Sequence, residues 1–169
     1  GSGNLDGGLK WSLTKAGTLT ISGSGAMPDF AKTSDQPWVS HADKILSIVV
    51  ESGVTAVGSN AFKGSKAISA TIPASVKTIC SGAFQNCKSL ISVTVSECVE
   101  SIGDSAFHAC TALKSINLPA SISSVGVGVF MECTELSAVK FSAGSQPVSI
   151  GDSLFSRCYK LGSVTLPKN

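Results

Sequence analysis

A histidine and a cysteine stand two residues apart in the segment SAFHAC, residues 105–110. An imidazole beside a thiol is a common arrangement in catalysis, because the imidazole takes the thiol proton and leaves a nucleophilic thiolate. His108 and Cys110 are therefore candidates for thiol chemistry. Whether they form a catalytic pair depends on the elements that position them.

The overall composition narrows the classes of function. The 169 residues have a formal net charge of +2 and only 14% charged side chains, which is too little positive charge to predict a nucleic acid or an anionic membrane as partner. No apolar run approaches the length of a membrane-spanning helix, so no membrane insertion is expected. The six cysteines form no CxxC pair and there are only two histidines, so neither a metal site nor a cofactor is predicted.

An internal repeat organises most of the chain. Five phenylalanines follow one another at spacings of 22, 23, 23 and 25 residues, and a cysteine or a serine stands three residues after each. Each unit closes with an alternating run such as SVTVS, which predicts a strand with one buried face. A single coil cannot bury its own apolar side, so the coils must stack into a solenoid. The predicted structural ladder comprises Phe62, Phe84, Phe107, Phe130 and Phe155 with Cys87, Cys110, Cys133 and Cys158.

Other slots of the repeat carry finer predictions. Ile68 is aligned with the leucines that stand three residues after the ladder cysteines. At the chain turns the pattern places Gly58, Gly103, Gly126 and Gly151, where a positive φ or close packing is needed. The ladder thiols are expected to be free and buried. If any disulfide forms, the off-ladder residues Cys80 and Cys98 suit it best, and the insertion at 143–147 should bulge its loop.

The pattern I-P-x-x-V-x-x-I-G-x-x-A-F-x-x-C-x-x-L resembles the leucine-rich repeat of the bacterial surface antigen A type, the BspA-like family, from about residue 45 to 167. Departures are Cys80 at a turn glycine, Ser65 on the ladder, and Val129 and Leu154 before their phenylalanines. The resemblance implies a β-rich, right-handed leucine-rich-repeat solenoid with coils of about 23 residues. We predict five repeats over residues 45–169.

The first 44 residues differ in character from the repeats. Two β-segments around the turn KAG, and then a Gly-rich turn, predict an N-terminal β-cap that belongs to the same domain. Solenoids need atypical ends because an open terminal coil exposes its core. Trp11 and Trp38 are the residues we expect to cover the first coil, and similar Trp-containing segments precede the repeats in the family.

With the repeat in view, SAFHAC has a structural interpretation. Cys110 is one rung of the ladder, while His108 shares its slot with Lys63, Gln85, Met131 and Ser156, which predicts an exposed loop position. An inward thiol and an outward imidazole cannot act together, so no catalytic residue is predicted. His41 with Asp43 lacks a nearby nucleophile, and Asp104 and Asp152 lie two coils apart, too far to share a calcium ion.

The remaining candidates for a functional site are two surfaces of the solenoid. The outward strand positions should align as two columns, Ser47 to Ser163 and Val49 to Thr165, across one sheet face. A merely solvated sheet has the same composition, so a site on this face is a hypothesis. Its candidate ligand-binding residues are Ser92, Thr94, Ser115, Asn117, Lys140 and Thr165. A loop row holding Lys63, His108, Met131, Arg157 and Tyr159 is a second candidate surface.

The family resemblance implies a non-enzymatic interaction module, secreted or displayed on a bacterial cell surface after removal of a signal sequence. The expected partner is an extracellular protein, either of the host matrix or of another bacterial surface. A glycan is a weaker expectation, because the columns carry no aromatic side chain for a sugar ring to stack on. The alternative is a passive spacer or a part of a larger surface assembly.

Overall fold

The computed structural model describes residues 1–144 and 146–166. These residues form short strands and three 3-10 helices, at Asp6–Gly8, Thr33–Asp35 and Val39–Lys44. None of these helices is long enough to cross a membrane. The strands are β1 (Ser2–Asn4), β2 (Lys10–Leu13), β3 (Thr18–Ser22), β4 (Gly25–Ala26), β5 (Ser47–Val50), β6 (Val54–Val57), β7 (Ser69–Ile72), β8 (Thr78–Ile79), β9 (Ser92–Val95), β10 (Ser101–Ile102), β11 (Ser115–Leu118), β12 (Ser124–Val125), β13 (Ala138–Phe141), β14 (Ser149–Ile150) and β15 (Ser163–Thr165).

Each coil of the repeat contributes two strands that pair in parallel with the coils above and below. The alternating closing runs form the longer strands, β5, β7 and β9, with Ser47, Ser69 and Ser92 in register. The shorter strands before the phenylalanines form a second parallel sheet in the order β14-β12-β10-β8-β6-β4. The predicted solenoid of about five turns, with about 23 residues per coil, is confirmed.

The longer-strand sheet is interrupted between β9 and β11. Strands β11, β13 and β15 form a separate parallel sheet, and no hydrogen-bonded ladder joins it to β9. Just before the two strands, Lys114 N–H still donates to Ile91 O at 3.3 Å, so the coils stay adjacent. The repeat pattern predicts continuous columns across this position, and the structure instead divides them into two blocks.

The predicted ladder forms the centre of the core. The five phenylalanine rings lie one above another with centroids 5.2 to 5.9 Å apart, and four of the five are fully buried. Each ladder thiol donates to the carbonyl of the phenylalanine one coil earlier, as Cys133 Sγ does to Phe107 O at 3.1 Å. Ser65 is buried on the same ladder, and its Oγ accepts the Ala67 N–H at 3.2 Å.

The N-terminal segment is joined to both sheets. Strands β2 and β3 form the predicted antiparallel hairpin, and β3 then pairs in parallel with β5. Strand β4 pairs in parallel with β6. Trp38 stacks on Phe62 with ring centroids 5.7 Å apart, and Trp11 meets Trp38 edge-on at 6.1 Å. The two tryptophans cover the first repeat as expected, while the division at residue 44 remains a prediction.

The turn glycines are needed for close packing and not for a positive φ. A Cβ on Gly103 would lie 2.6 Å from the Ser81 backbone nitrogen, and a Cβ on Gly151 would lie 2.5 Å from the Gly126 carbonyl carbon. Backbone with positive φ occurs instead two residues before and two residues after each phenylalanine. These positions are Asn60, Gly82, Ser105, Gly128 and Ser153 before it, and Gly64, Asn86, Ala109, Glu132 and Arg157 after it.

The alignment of Ile68 with the leucines of the repeat is wrong. Its side chain is 50% exposed, and Ala67 occupies the interior beside it with no exposed surface. The reason is a unit that is one residue shorter: β7 begins seven residues after Phe62, whereas the other closing strands begin eight residues after their phenylalanines. Ile68 thus shares its slot with Ile91, as the hydrogen bond from Ile91 N–H to Ile68 O shows.

All six cysteines are free, including Cys80 and Cys98, and both of these are half-buried. The predicted insertion at 143–147 contains Ser145, which lies outside the described residues, and so do residues 167–169. On the last coil Phe155 is only partly buried, and Ile150 is 43% exposed.

Candidate functional site

His108 and Cys110 do not form a catalytic pair in the structure. The Cys110 thiol is fully buried and donates to Phe84 O at 3.2 Å. The His108 ring has its Nδ1 at 3.2 Å from Gln85 Nε2 and its Nε2 at 3.8 Å from Glu132 Oε2. Each group has partners of its own on neighbouring coils, so the thiol has no base at hand.

His108 is also more enclosed than the repeat pattern predicts. Its side chain is only 18% exposed, and its Nε2 is buried without a hydrogen-bond partner among the residues that the structure describes. Gln85 from the coil before and Glu132 from the coil after close over the ring, and Glu132 is itself held by Arg157 at 2.7 Å. The expectation that His108 lies in an exposed position is therefore wrong.

The ladder thiols are poorly suited to nucleophilic chemistry. The neighbouring Cys87 thiol and burial together raise the pKa of Cys110 well above its usual range. Burial raises the pKa of Cys133 to about 12 and also raises the pKa of Cys158. Reactive cysteines have lowered pKa values because the thiolate is the nucleophile, so the shifts on the ladder run in the opposite direction.

The predicted sheet-face residues are all exposed, and the strand register sets their neighbours. Ser92 and Thr94 close the first block, opposite Ser69 and Thr71. In the second block the register aligns Ser115 with Ala138 and Ser163, and Asn117 with Lys140 and Thr165.

The ladder break opens a cleft on this face. The cleft has a volume of about 280 Å³ and lies between β9 and β11, lined by Ser92, Thr94, Ser115 and Asn117. Four of the six predicted site residues thus surround one opening, while Lys140 and Thr165 lie on the next two strands of the second block. The mixture of hydroxyl and amide groups can donate and accept hydrogen bonds.

The cleft reaches down towards the core. Val93 on its floor is 9% exposed, compared with 2% for its equivalents Ala70 and Ile116. Val95 is half-buried, whereas Ile72 and Leu118 in the same slot have no exposed surface. Water therefore approaches the interior here more closely than at the neighbouring strands.

Glu97 also lines the cleft and was not predicted as a site residue. It is exposed and forms no ion pair with the described residues. A signal for it exists in the sequence: residues 96–98 read SEC, where the two neighbouring coils read PAS at 73–75 and 119–121. The carboxylate adds a negative charge to an otherwise neutral rim.

Nothing in the described part of the chain gathers metal ligands. No group of three or more His, Cys, Asp or Glu side chains could hold an ion there. The side chains of the loop row differ in exposure: Tyr159 is 77% exposed, while Lys63 and Met131 are half-buried.

Similar structures come from several bacteria. A leucine-rich repeat protein from Eubacterium ventriosum is 29% identical with a TM-score of 0.86, over 96% of this chain and 43% of that protein. A leucine-rich repeat protein from T. pallidum is 22% identical with a TM-score of 0.64, over 95% of this chain and 91% of the other. A leucine rich cell surface protein from Faecalibacterium prausnitzii is also 22% identical, with a TM-score of 0.62 over 95% of this chain and 53% of that one.

This chain therefore spans less than half of the Eubacterium ventriosum protein. No curated protein matches it in sequence. A family profile, the BspA type leucine rich repeat region, matches residues 55–169 in six copies, one more than the five units marked by the phenylalanines. With most of its length covered by that profile and its fold shared with bacterial leucine-rich repeat proteins, the chain belongs to the BspA type leucine-rich repeat family.

Proposed function

We propose that this chain is a non-enzymatic module of the bacterial cell surface, or of a secreted protein, that adheres to an extracellular protein through the longer-strand sheet face. The observation that carries the proposal is the cleft between β9 and β11, which gathers Ser92, Thr94, Ser115 and Asn117 around one opening. Solenoid proteins commonly bind partners along such extended faces.

The chemistry of the cleft favours a polypeptide ligand. Backbone N–H and C=O groups along β9 and β11 that a ladder would pair are available to a partner, and such groups are costly to leave without hydrogen bonds once water is displaced. The hydroxyl and amide side chains add further donors and acceptors, and Glu97 can receive a basic side chain. A protein ligand is preferred over a glycan because no aromatic side chain lines the cleft.

Surface display is supported by the family and by one of the similar structures. The family is the BspA type leucine-rich repeat region, and the Faecalibacterium prausnitzii protein is described as a leucine rich cell surface protein. The non-enzymatic part of the proposal is supported by the raised pKa values of the ladder thiols and by the separate partners of His108 and Cys110.

The proposal is tested by biolayer interferometry of the purified chain against a panel of extracellular-matrix and bacterial surface proteins. We expect saturable binding to at least one of them and a loss of about tenfold or more in affinity when Thr94, Asn117 and Lys140 are replaced by alanine together. The matched control replaces Thr55 and Ser124 by alanine. Both are exposed on the second sheet, and this variant should bind like the wild type. No saturable partner, or equal binding by both variants, would overturn the proposal.

A spacer or assembly role remains the alternative, and one observation favours it. In the last coil Ile150 is 43% exposed, whereas Val125 and Ile102 in the same slot are each 1% exposed. An apolar coil face of this kind can stack on a further coil of a longer chain, on another protein or on a second copy. Sedimentation velocity over a range of concentrations distinguishes the two, since self-assembly raises the average mass and adhesion through the cleft leaves it unchanged.

A further inference from the structure

Three aliphatic side chains form an exposed row at the entrance to the longer strands. Leu46, Ile68 and Ile91 each stand one residue before a closing strand, and they are 51%, 50% and 43% exposed. Their backbones are hydrogen-bonded in sequence, from Ile68 N–H to Leu46 O at 2.8 Å and from Ile91 N–H to Ile68 O at 2.9 Å. We call these three residues the aliphatic stripe.

The stripe is confined to part of the solenoid. The next positions along the same row are Lys114, Ser137 and Gly162, which are polar or lack a side chain. Because parallel strands lie about 4.8 Å apart, the three aliphatic side chains are neighbours and not scattered single residues. A contiguous exposed apolar group on a water-facing surface is characteristic of an interaction site, whereas an isolated one is ordinary.

Lysines stand close to the stripe residues along the chain. Lys44, Lys66 and Lys88 precede its three members by two or three residues, and Lys114 is the next position along the row. In the segments that lead into these strands, residues 42–46, 64–68 and 86–91, Asp43 is the one carboxylate, and it forms an ion pair with Lys66. Lys44, Lys88 and Lys114 form no ion pair with the described residues.

We propose that the aliphatic stripe docks a segment of a partner protein in which aliphatic and acidic residues alternate. The aliphatic side chains of that segment would cover the aliphatic stripe. Its carboxylates would pair with Lys44, Lys88 and Lys114. Charge complementarity selects an acidic partner over a basic one. The inference rests on the proposed role in protein binding but uses a different surface from the cleft, so either can fail without the other.

The test uses two synthetic peptides and the full chain with isotope-labelled methyl groups. One peptide alternates glutamate with leucine, and the other alternates lysine with leucine. In NMR titrations we expect the methyl resonances of Leu46, Ile68 and Ile91 to shift saturably with the acidic peptide and to stay in place with the basic one. Raising the salt concentration should weaken the binding, since exposed charges are screened.

Matched variants show which residues carry the binding. Ile68→Ser with Ile91→Ser, or Lys88→Glu with Lys114→Glu, should each weaken the acidic peptide by about tenfold or more. Val127→Ser is the apolar control, because Val127 is 49% exposed outside the stripe. Lys32→Glu is the charge control, because Lys32 is exposed and lies outside both the stripe and the cleft. Both controls, and the triple alanine variant of the cleft, should bind the acidic peptide like the wild type.

Three results would overturn the inference. These are unmoved stripe methyls, equal shifts with the two peptides, or equal loss of binding in the stripe variants and the controls. All substituted side chains are exposed, and a thermal unfolding scan of each variant establishes that it remains folded. Loss of matrix-protein binding in the cleft variant alone would leave the stripe intact, which separates this inference from the proposed function.

Discussion

The two ends of the phenylalanine stack show that the burial of a phenylalanine depends on what packs against it. At the N-terminal end Phe62 is fully buried because Trp38 stacks on it at 5.7 Å, and Trp11 and Phe30 pack edge-on against Trp38. At the other end Phe155 stacks on Phe130 at 5.9 Å, yet it remains only partly buried in the described chain.

The difference indicates that a coil gains its stability from both sides. In a solenoid each repeat contacts only its neighbours, and its stability is the sum of an intrinsic part and two interface parts. The N-terminal segment supplies the missing interface with tryptophan and with strands β3 and β4, which pair with β5 and β6. We therefore expect resistance to unfolding to vary along the solenoid.

The largest expected loss of stability is at the middle of the phenylalanine stack. Phe107→Ala should lower the free energy of unfolding by about 3–5 kcal/mol, because a fully buried ring leaves a cavity between two others. Phe155→Ala should cost about 1–2 kcal/mol, since a partly exposed ring loses less on truncation. Urea unfolding followed by circular dichroism measures both. Equal losses at the two positions would contradict the comparison.

The next effect concerns the covered end. Trp38→Ala should cost about 3 kcal/mol and should expose Phe62, because the ring stacked on it is removed. Hydrogen exchange should then accelerate in β3 and β5 more than in β13, since the opening begins at the uncovered coil. Trp38→Phe is the matched control and should keep most of the protection. Uniform acceleration over all strands would contradict a local role for Trp38.

The sequence predicted the interior well because the interior is periodic. Each ladder position recurs once per coil, so the chemistry of one phenylalanine or one cysteine predicts that of the others. The repeat alignment assigns Ile68 to the wrong slot because the first unit is one residue short. The amino-acid sequence does not show that the missing residue lies between Ser65 and Ala67. Which isoleucine faces water follows only from the backbone hydrogen bonds between coils.

The surface features depend on how neighbouring coils meet, which the repeat pattern does not contain. Gln85 and Glu132 enclose His108 from coils on either side, at sequence separations of more than twenty residues. The cleft depends on a ladder break between β9 and β11, although both strands have the same alternating pattern as the others. In the sequence the cleft residues belong to a uniform column, and the structure gives them a local shape that the column lacks.

The smallest effect expected at neutral pH is at the Cys133 thiol of the ladder, and this effect depends on pH. Burial raises the pKa of Cys133 to about 12, whereas the pKa of a thiol in the unfolded chain is 9.0. The unfolded chain therefore loses this proton first, so the contribution of Cys133 is fully present below pH 9 and is lost as the pH rises from about 9 towards 12. For one thiol the loss approaches about 1.4 kcal/mol per pH unit.

Cys133→Ser is the matched variant, because a serine hydroxyl can replace the thiol as donor to Phe107 O and Ser65 already occupies the ladder in the first coil. It should cost about 1 kcal/mol at pH 7. Between pH 9 and 11 the difference in stability from the wild type should shrink and then change sign, because the alkaline loss from the Cys133 thiol exceeds about 1 kcal/mol over that range. Lysine and tyrosine titrations are common to both proteins and cancel in that difference. A constant difference over this range would show that the Cys133 thiol titrates in the folded chain as it does in the unfolded one, contrary to its full burial and its hydrogen bond to Phe107 O.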